Sequence, residues 1–235
     1  MKKIKQILLV CCVLVLQISS LQSQIPMVGT EGILDKLRLN QGIEGKDNLF
    51  YSDVQGDPFI FRDFEKGILY VLPDAKYNVY IRYDMYANQM HLKDSTVIYA
   101  IIHPDKVKLI EAGSYKFIYT GYINSPEDDG PAQHSYFILK AGGKCSLLIK
   151  KNIRVQDAEP VKLYQEAKPA KFVVTGDSFF LKLDGRSAVR IRNKKELLTV
   201  LKDKSDLISS YLSSNKLDIK EVEDLIKIVV FYNSL

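Results

Sequence analysis

A thiol and an imidazole are the raw material of a nucleophilic hydrolase, and this chain carries both, at Cys145 and His134. The chemistry needs the thiolate, held by a neighbouring base. Cys145, however, opens the apolar run Cys145, Ser146, Leu147, Leu148, Ile149, where a small hydrophobe simply packs. The histidines, His91, His103 and His134, never recur at the short spacing of a helical zinc site, so a metal would require them to converge from separate strands. Asn124, Ser125, Glu127, Asp128 and Asp129 gather oxygens suited to a hard cation, yet the loop lacks the alternating ligands and distal glutamate of an EF-hand. It reads as a solvated acidic turn. No Gly-x-Ser-x-Gly, phosphate loop or dinucleotide fingerprint occurs, and no cofactor is expected.

Tyrosine is the more suggestive residue type. The chain has 14 tyrosines and no tryptophan, so any aromatic contact surface rests on tyrosine and phenylalanine. Tyr80 and Tyr86 alternate out of phase with an apolar set, beside Arg82 and Asp84. Tyrosines with polar tips on one face of a sheet suit recognition of a protein, glycan or lipid. Tyr80, Arg82 and Tyr86 are therefore the candidate ligand-binding residues, unless a second layer covers both faces of the sheet.

The elements that must position these side chains are mostly strands. Tyr77, Val79, Ile81, Tyr83 and Met85 recur at period two, and similar alternation continues to residue 155. Short strands at this spacing, with no helix between them, predict an antiparallel meander, as a curled sheet, sandwich or half-barrel. Ala141, Gly142, Gly143 and Lys144 mark one hairpin, and Asp184-Gly185 another. Residues 24–66 are punctuated by glycine and read as irregular. Residues 67–192 form the β domain, with a surface linker at 157–171 bounded by Pro160 and Pro169. Residues 193–235 are helical. Asn193 with Glu196, and Asp218 with Glu221, match capping boxes. Val222, Leu225, Ile226, Val229 and Val230 make one apolar stripe, so two or three amphipathic helices should pack on the sheet, an α+β arrangement that is mainly β.

The first 23 residues predict export. Lys2, Lys3 and Lys5 precede an apolar run over residues 7–16, followed by a polar stretch ending at Ser23, the layout of a cleavable signal peptide. Cys11 and Cys12 lie inside the apolar run, so no lipid anchor is expected, and the run is too short for a permanent span. The leader holds three of the 33 basic residues and none of the 28 acidic ones, so its removal takes the net charge from +5 to +2. That near-neutral balance gives no reason to expect nucleic acid as a partner. Cys145 is then the only cysteine left, and one thiol forms no internal disulfide. Neither an integral membrane protein nor a disulfide scaffold is expected.

Gly56, Pro58, Phe59, Phe64 and Gly67, leading into the Tyr77-Asn78 strand, resemble a pattern in uncharacterised exported β-rich proteins of the Bacteroidota. The stretch 136–149 and the C-terminal Leu217-Asp218 and Tyr232-Asn233 are similar too. The resemblance implies a place in the cell envelope, periplasmic or at the surface, and no activity. Together these readings predict a non-catalytic binding or assembly module, whose partner is an envelope protein, a glycan or a lipid. The alternative is a carrier for a lipid or other apolar ligand inside a curled sheet, and the third reading is a hydrolase with an unrecognised site.

Overall fold

The computed structural model describes residues 40–41, 51, 53–95, 97–160 and 167–235, so the leader expected over residues 1–23 lies outside the described residues. Among the described residues, twelve strands join into one mixed, mainly antiparallel sheet: β1 (Asn40–Gln41), β2 (Val54–Gln55), β3 (Glu65–Val71), β4 (Ala75–Asp84), β5 (Gln89–Asp94), β6 (Val97–Ala100), β7 (Val107–Ala112), β8 (Tyr115–Ile123), β9 (Gln133–Ala141), β10 (Cys145–Gln156), β11 (Ala170–Leu183) and β12 (Ala188–Ile191). Three helices follow: α1 (Lys194–Val200), α2 (Ser205–Ser214) and α3 (Val222–Ser234).

The sheet closes on itself in its second half. Strand β8 pairs antiparallel with β9, β9 with β10, β10 with β11 and β11 with β12. The ring is completed by β12 lying parallel to β8, with Ala188 opposite Tyr122. Each strand gives one residue to the barrel's inner core: Tyr122, Phe137, Leu148, Phe180 and Ala188. Tyr122, Phe137 and Phe180 meet edge to face with centroids 4.9–5.5 Å apart, the favoured aromatic geometry. Large side chains from three walls fill the middle of so narrow a barrel.

The barrel wall faces two further layers, because side chains alternate across each strand. Strands β3 to β7 form the first half of the sheet, and their apolar face packs against Phe117, Tyr136, Ile138 and Ile149 on the outside of the barrel. On another side Cys145, Leu147, Leu181 and Ile191 pack under the helices, against Leu197, Ile208, Leu212, Leu225, Ile228, Val229 and Tyr232. The molecule is thus sheet, barrel and helices in sequence order. The expected α+β class holds, with helices packed on a mainly β body.

Several boundaries differ from the sequence reading. Short strands β1 and β2 fall inside the stretch expected to be irregular, where β1 pairs with β6 and β2 pairs parallel with β11. Within the stretch read as a surface linker over 157–171, Glu159 and Lys168 exchange both backbone hydrogen bonds at 2.9 and 3.1 Å beyond the β10–β11 ladder, while residues 161–166 lie outside the described residues. Prolines at 160 and 169 sit outside the paired strands, so they tolerate the hairpin without interrupting it. Asn193 caps α1 as expected, accepting from the Glu196 amide at 2.9 Å. The second capping box does not form: α3 starts at Val222, and the Asp218 carboxylate accepts from the Lys220 amide within a preceding turn.

Candidate functional site

Tyr80 and Arg82 lie on the face of β4 opposite the core, as the alternation requires. That face is not open at Arg82. Asp57, Pro58 and Phe59 lead a segment beside the end of β4, where the Met85 amide donates to the Pro58 carbonyl and the Ile60 amide to the Tyr83 carbonyl. Phe59 then lies over the Arg82 guanidinium at 3.5 Å, and Phe64 at 4.5 Å. Such contacts hold a cation by the negative face of the ring. His91 is the cross-strand partner of Arg82 and meets Phe59 edge-on at 5.9 Å. Burial, reinforced by the Arg82 charge, pulls His91 down to about 4. The Gly-x-Pro-aromatic motif is thereby the clamp that roofs Arg82.

Tyr86 is placed differently from its expected strand position. Strand β4 ends at Asp84, and Tyr86 sits in the following turn. The buried Asp84 carboxylate organises that turn by accepting from the amides of Tyr86 (2.9 Å) and Ala87 (2.8 Å) and from the Tyr51 hydroxyl (2.9 Å). Burial pushes the Asp84 carboxyl up, against these hydrogen bonds. Tyr86, 49% exposed, packs edge-on against Tyr51 and Phe172 at 6.0 and 5.4 Å. The structure therefore separates the expected trio: Arg82 is roofed, Tyr80 stays half-buried on its strand, and Tyr86 joins a different aromatic group.

That second group leads to a surface the sequence reading missed. Beyond the barrel, β10 and β11 run on as a two-stranded arm, with Ile153 opposite Val174 and Val155 opposite Phe172. Residues 172 and 174 share a face, and so do 153 and 155. Ile153, Val155, Phe172 and Val174 thus form a cross-strand apolar patch, continued by Tyr51 and Tyr86. Val174 is 59% exposed. Arg154 and Lys171 are exposed on the same arm, whereas Lys151 is occupied by Asp177 at 2.8 Å. Alternation at 153, 155 and at 172, 174 was the available signal. The linker reading of the residues between them hid it.

The remaining candidates do not assemble. Cys145 is fully buried beneath the helices, and burial pushes its thiol up to about 12, far from a reactive thiolate. His134 stacks on Tyr119, seven residues along β9 from the Ala141 end at which Cys145 enters β10, roughly 23 Å at strand rise. His91 is buried, His103 precedes a 3₁₀ turn without a side-chain bond to it and His134 is exposed, and among the described residues no group of three metal-ligating side chains forms. In the acidic loop the Asp128 carboxylate already accepts from the amides of Gly130 and Asn124, and the Ser125 hydroxyl accepts from Glu127. Those bonds close a turn and leave its carboxylates facing solvent.

Fold and site together define a class: a filled five-stranded barrel, held between a sheet and a helical layer, with a two-stranded apolar arm. No protein-family model matches the chain, and no curated protein or solved structure matches it. Among the described residues, no helix is long and apolar enough to cross a membrane.

Proposed function

We propose that this chain is an exported, non-catalytic binding or assembly module of the cell envelope that docks a partner protein on the β10–β11 arm. The observation that carries the reading is the in-register apolar patch of Ile153, Val155, Phe172 and Val174, with Val174 more than half exposed. Apolar surface concentrated on a projecting element marks an interaction site more often than scattered exposed residues do. Two stretches of strand edge adjoin it: among the described residues, 150–156 of β10 and 172–178 of β11 pair with no strand beyond the hairpin itself. An extended partner segment can add to such an edge, its backbone supplying affinity and its alternate side chains specificity. Arg154 and Lys171 favour a segment with acidic flanks. The leader pattern of residues 1–23 supports export. The lipid-carrier alternative has less support, because the barrel lumen it would use is filled by Tyr122, Phe137 and Phe180.

Export is tested by N-terminal sequencing of envelope-fraction protein, which should begin near Gln24; protein still carrying Cys11 overturns it. Docking is tested by a photo-crosslinking amino acid placed at position 174, compared with position 173 on the opposite face. A specific adduct from 174 alone, lost when Arg154 and Lys171 are changed to glutamate, is the expected result. Equal crosslinking from both faces, or an adduct indifferent to the charge reversal, refutes the arm as the docking site.

A further inference from the structure

A separate cavity lies on the other side of the barrel, between the β11–β12 hairpin and the end of α1, with a volume of about 210 Å³. Leu181 and Leu183 of β11, Val189 of β12 and Val200 of α1 give it apolar walls, and Pro126 from the β8–β9 loop adds a further side. These positions follow from alternation. Residues 181, 183 and 189 point out of the barrel, opposite Phe180 and Ala188, toward the helical layer. Arg186 and Lys202 stand at the same cavity from different elements, the hairpin turn and the 3₁₀ turn after α1.

Neither cation is held by a carboxylate among the described residues. Lys168, Arg192 and Lys227 hold carboxylates at 2.7–3.2 Å, whereas neither Arg186 nor Lys202 makes an ion pair or side-chain hydrogen bond to another described residue. A guanidinium offers a fork of donors suited to a carboxylate or phosphate, and an ammonium offers a mobile point charge. Apolar walls beside two such donors match an amphipathic anion. The size narrows the class further. Pockets for drug-sized ligands run to roughly 300–1,000 Å³, so this one admits a short chain and excludes a two-tailed lipid.

We propose that this cavity binds a small amphipathic anion, a short aliphatic chain ending in a carboxylate, with its tail against Leu181, Leu183, Val189 and Val200 and its head at Arg186 and Lys202. The site is independent of the arm, so failure of one leaves the other standing. The test titrates the full-length mature chain, by amide chemical shifts, with octanoate and with neutral octanol of equal length. Octanoate should shift Val189 and Thr199 saturably and bind at least about tenfold tighter than octanol. The exposed pair Arg186→Gln with Lys202→Gln should abolish that preference while leaving the melting temperature unchanged. A Val189→Phe variant, which fills the cavity, should abolish the shifts for both probes. Absence of saturable shifts, equal affinity of the unaltered protein for the two probes, or a preference for octanoate that survives the charge removal overturns the proposal.

Discussion

At the scale of single residues, His91 sets a pH window for stability. Its folded value near 4 lies well below the ordinary 6.5, because burial, and next the Arg82 charge, oppose the imidazolium. The unfolded chain therefore takes up a proton as pH falls through about 6.5, while the native chain does not. A depressed histidine thus contributes stability that is complete above 6.5 and drains away toward pH 4, by about 3 kcal/mol at full extent. Asp84 works the other way: its raised value lets the folded chain bind a proton above the unfolded 3.8, which offsets part of the loss at the bottom of the window. Urea unfolding at pH 7.5 and pH 5 should show the decline, and His91→Gln should flatten it; an unchanged slope in that variant assigns the decline elsewhere. Asn233 is the other decisive residue. Its side-chain oxygen accepts from the Cys145 amide at 2.8 Å, and its nitrogen donates to the Cys145 carbonyl at 2.9 Å. The side chain thus pairs with the barrel as a neighbouring strand would. Asn233→Ala should cost about 1–3 kcal/mol by leaving buried backbone groups without partners, measurable by chemical unfolding; a loss under a few tenths would show that water replaces the clasp. Nothing in the sequence pointed to this pairing, because its partners lie 88 positions apart.

At the scale of elements, periodicity was a good guide to type and a poorer guide to edges. The run over residues 77–85 reads correctly as a strand because the alternation of Tyr77, Val79, Ile81 and Tyr83 expresses one buried face. It overran by including Tyr86, since Asp84 already bends the chain through its bonds to the next two amides. The α3 stripe was right in kind and partly wrong in membership. Leu225 and Val229 are buried, but Val230 is 57% exposed, and Ile228 and Tyr232 complete the buried face instead. A helix starting at Val222 rather than Asp218 has the same angular spacing, so pattern alone did not rank its two edges. Docking within the chain makes Leu225→Ala cost about 2–5 kcal/mol, while Val230→Ala should stay within about 0.5 kcal/mol. Thermal melts of both variants decide this, and equal losses would mean that α3 packs by another face. The Tyr211 and Phe231 rings, stacked 4.1 Å apart, tie α2 to α3 independently of that stripe.

At the scale of the whole molecule, the class was legible and the closure was not. Runs of short strands ending in amphipathic helices announce a β body with a helical cover. They do not say that the sheet folds back on itself, because that depends on two residues of β12 lying parallel to two of β8. Nor does local pattern foretell the pairing of Glu159 with Lys168 beyond the regular β10–β11 ladder. The same closure governs when the chain can fold. The barrel lacks its last stave until residues 188–191 exist, and its wall at Cys145 lacks cover until Asn233 does. A ribosome would have passed residue 187 before the first joint could set and residue 232 before the second, and such long-range contacts form slowly. Delay of this kind keeps a nascent chain pliable. Here that lateness is written into the topology.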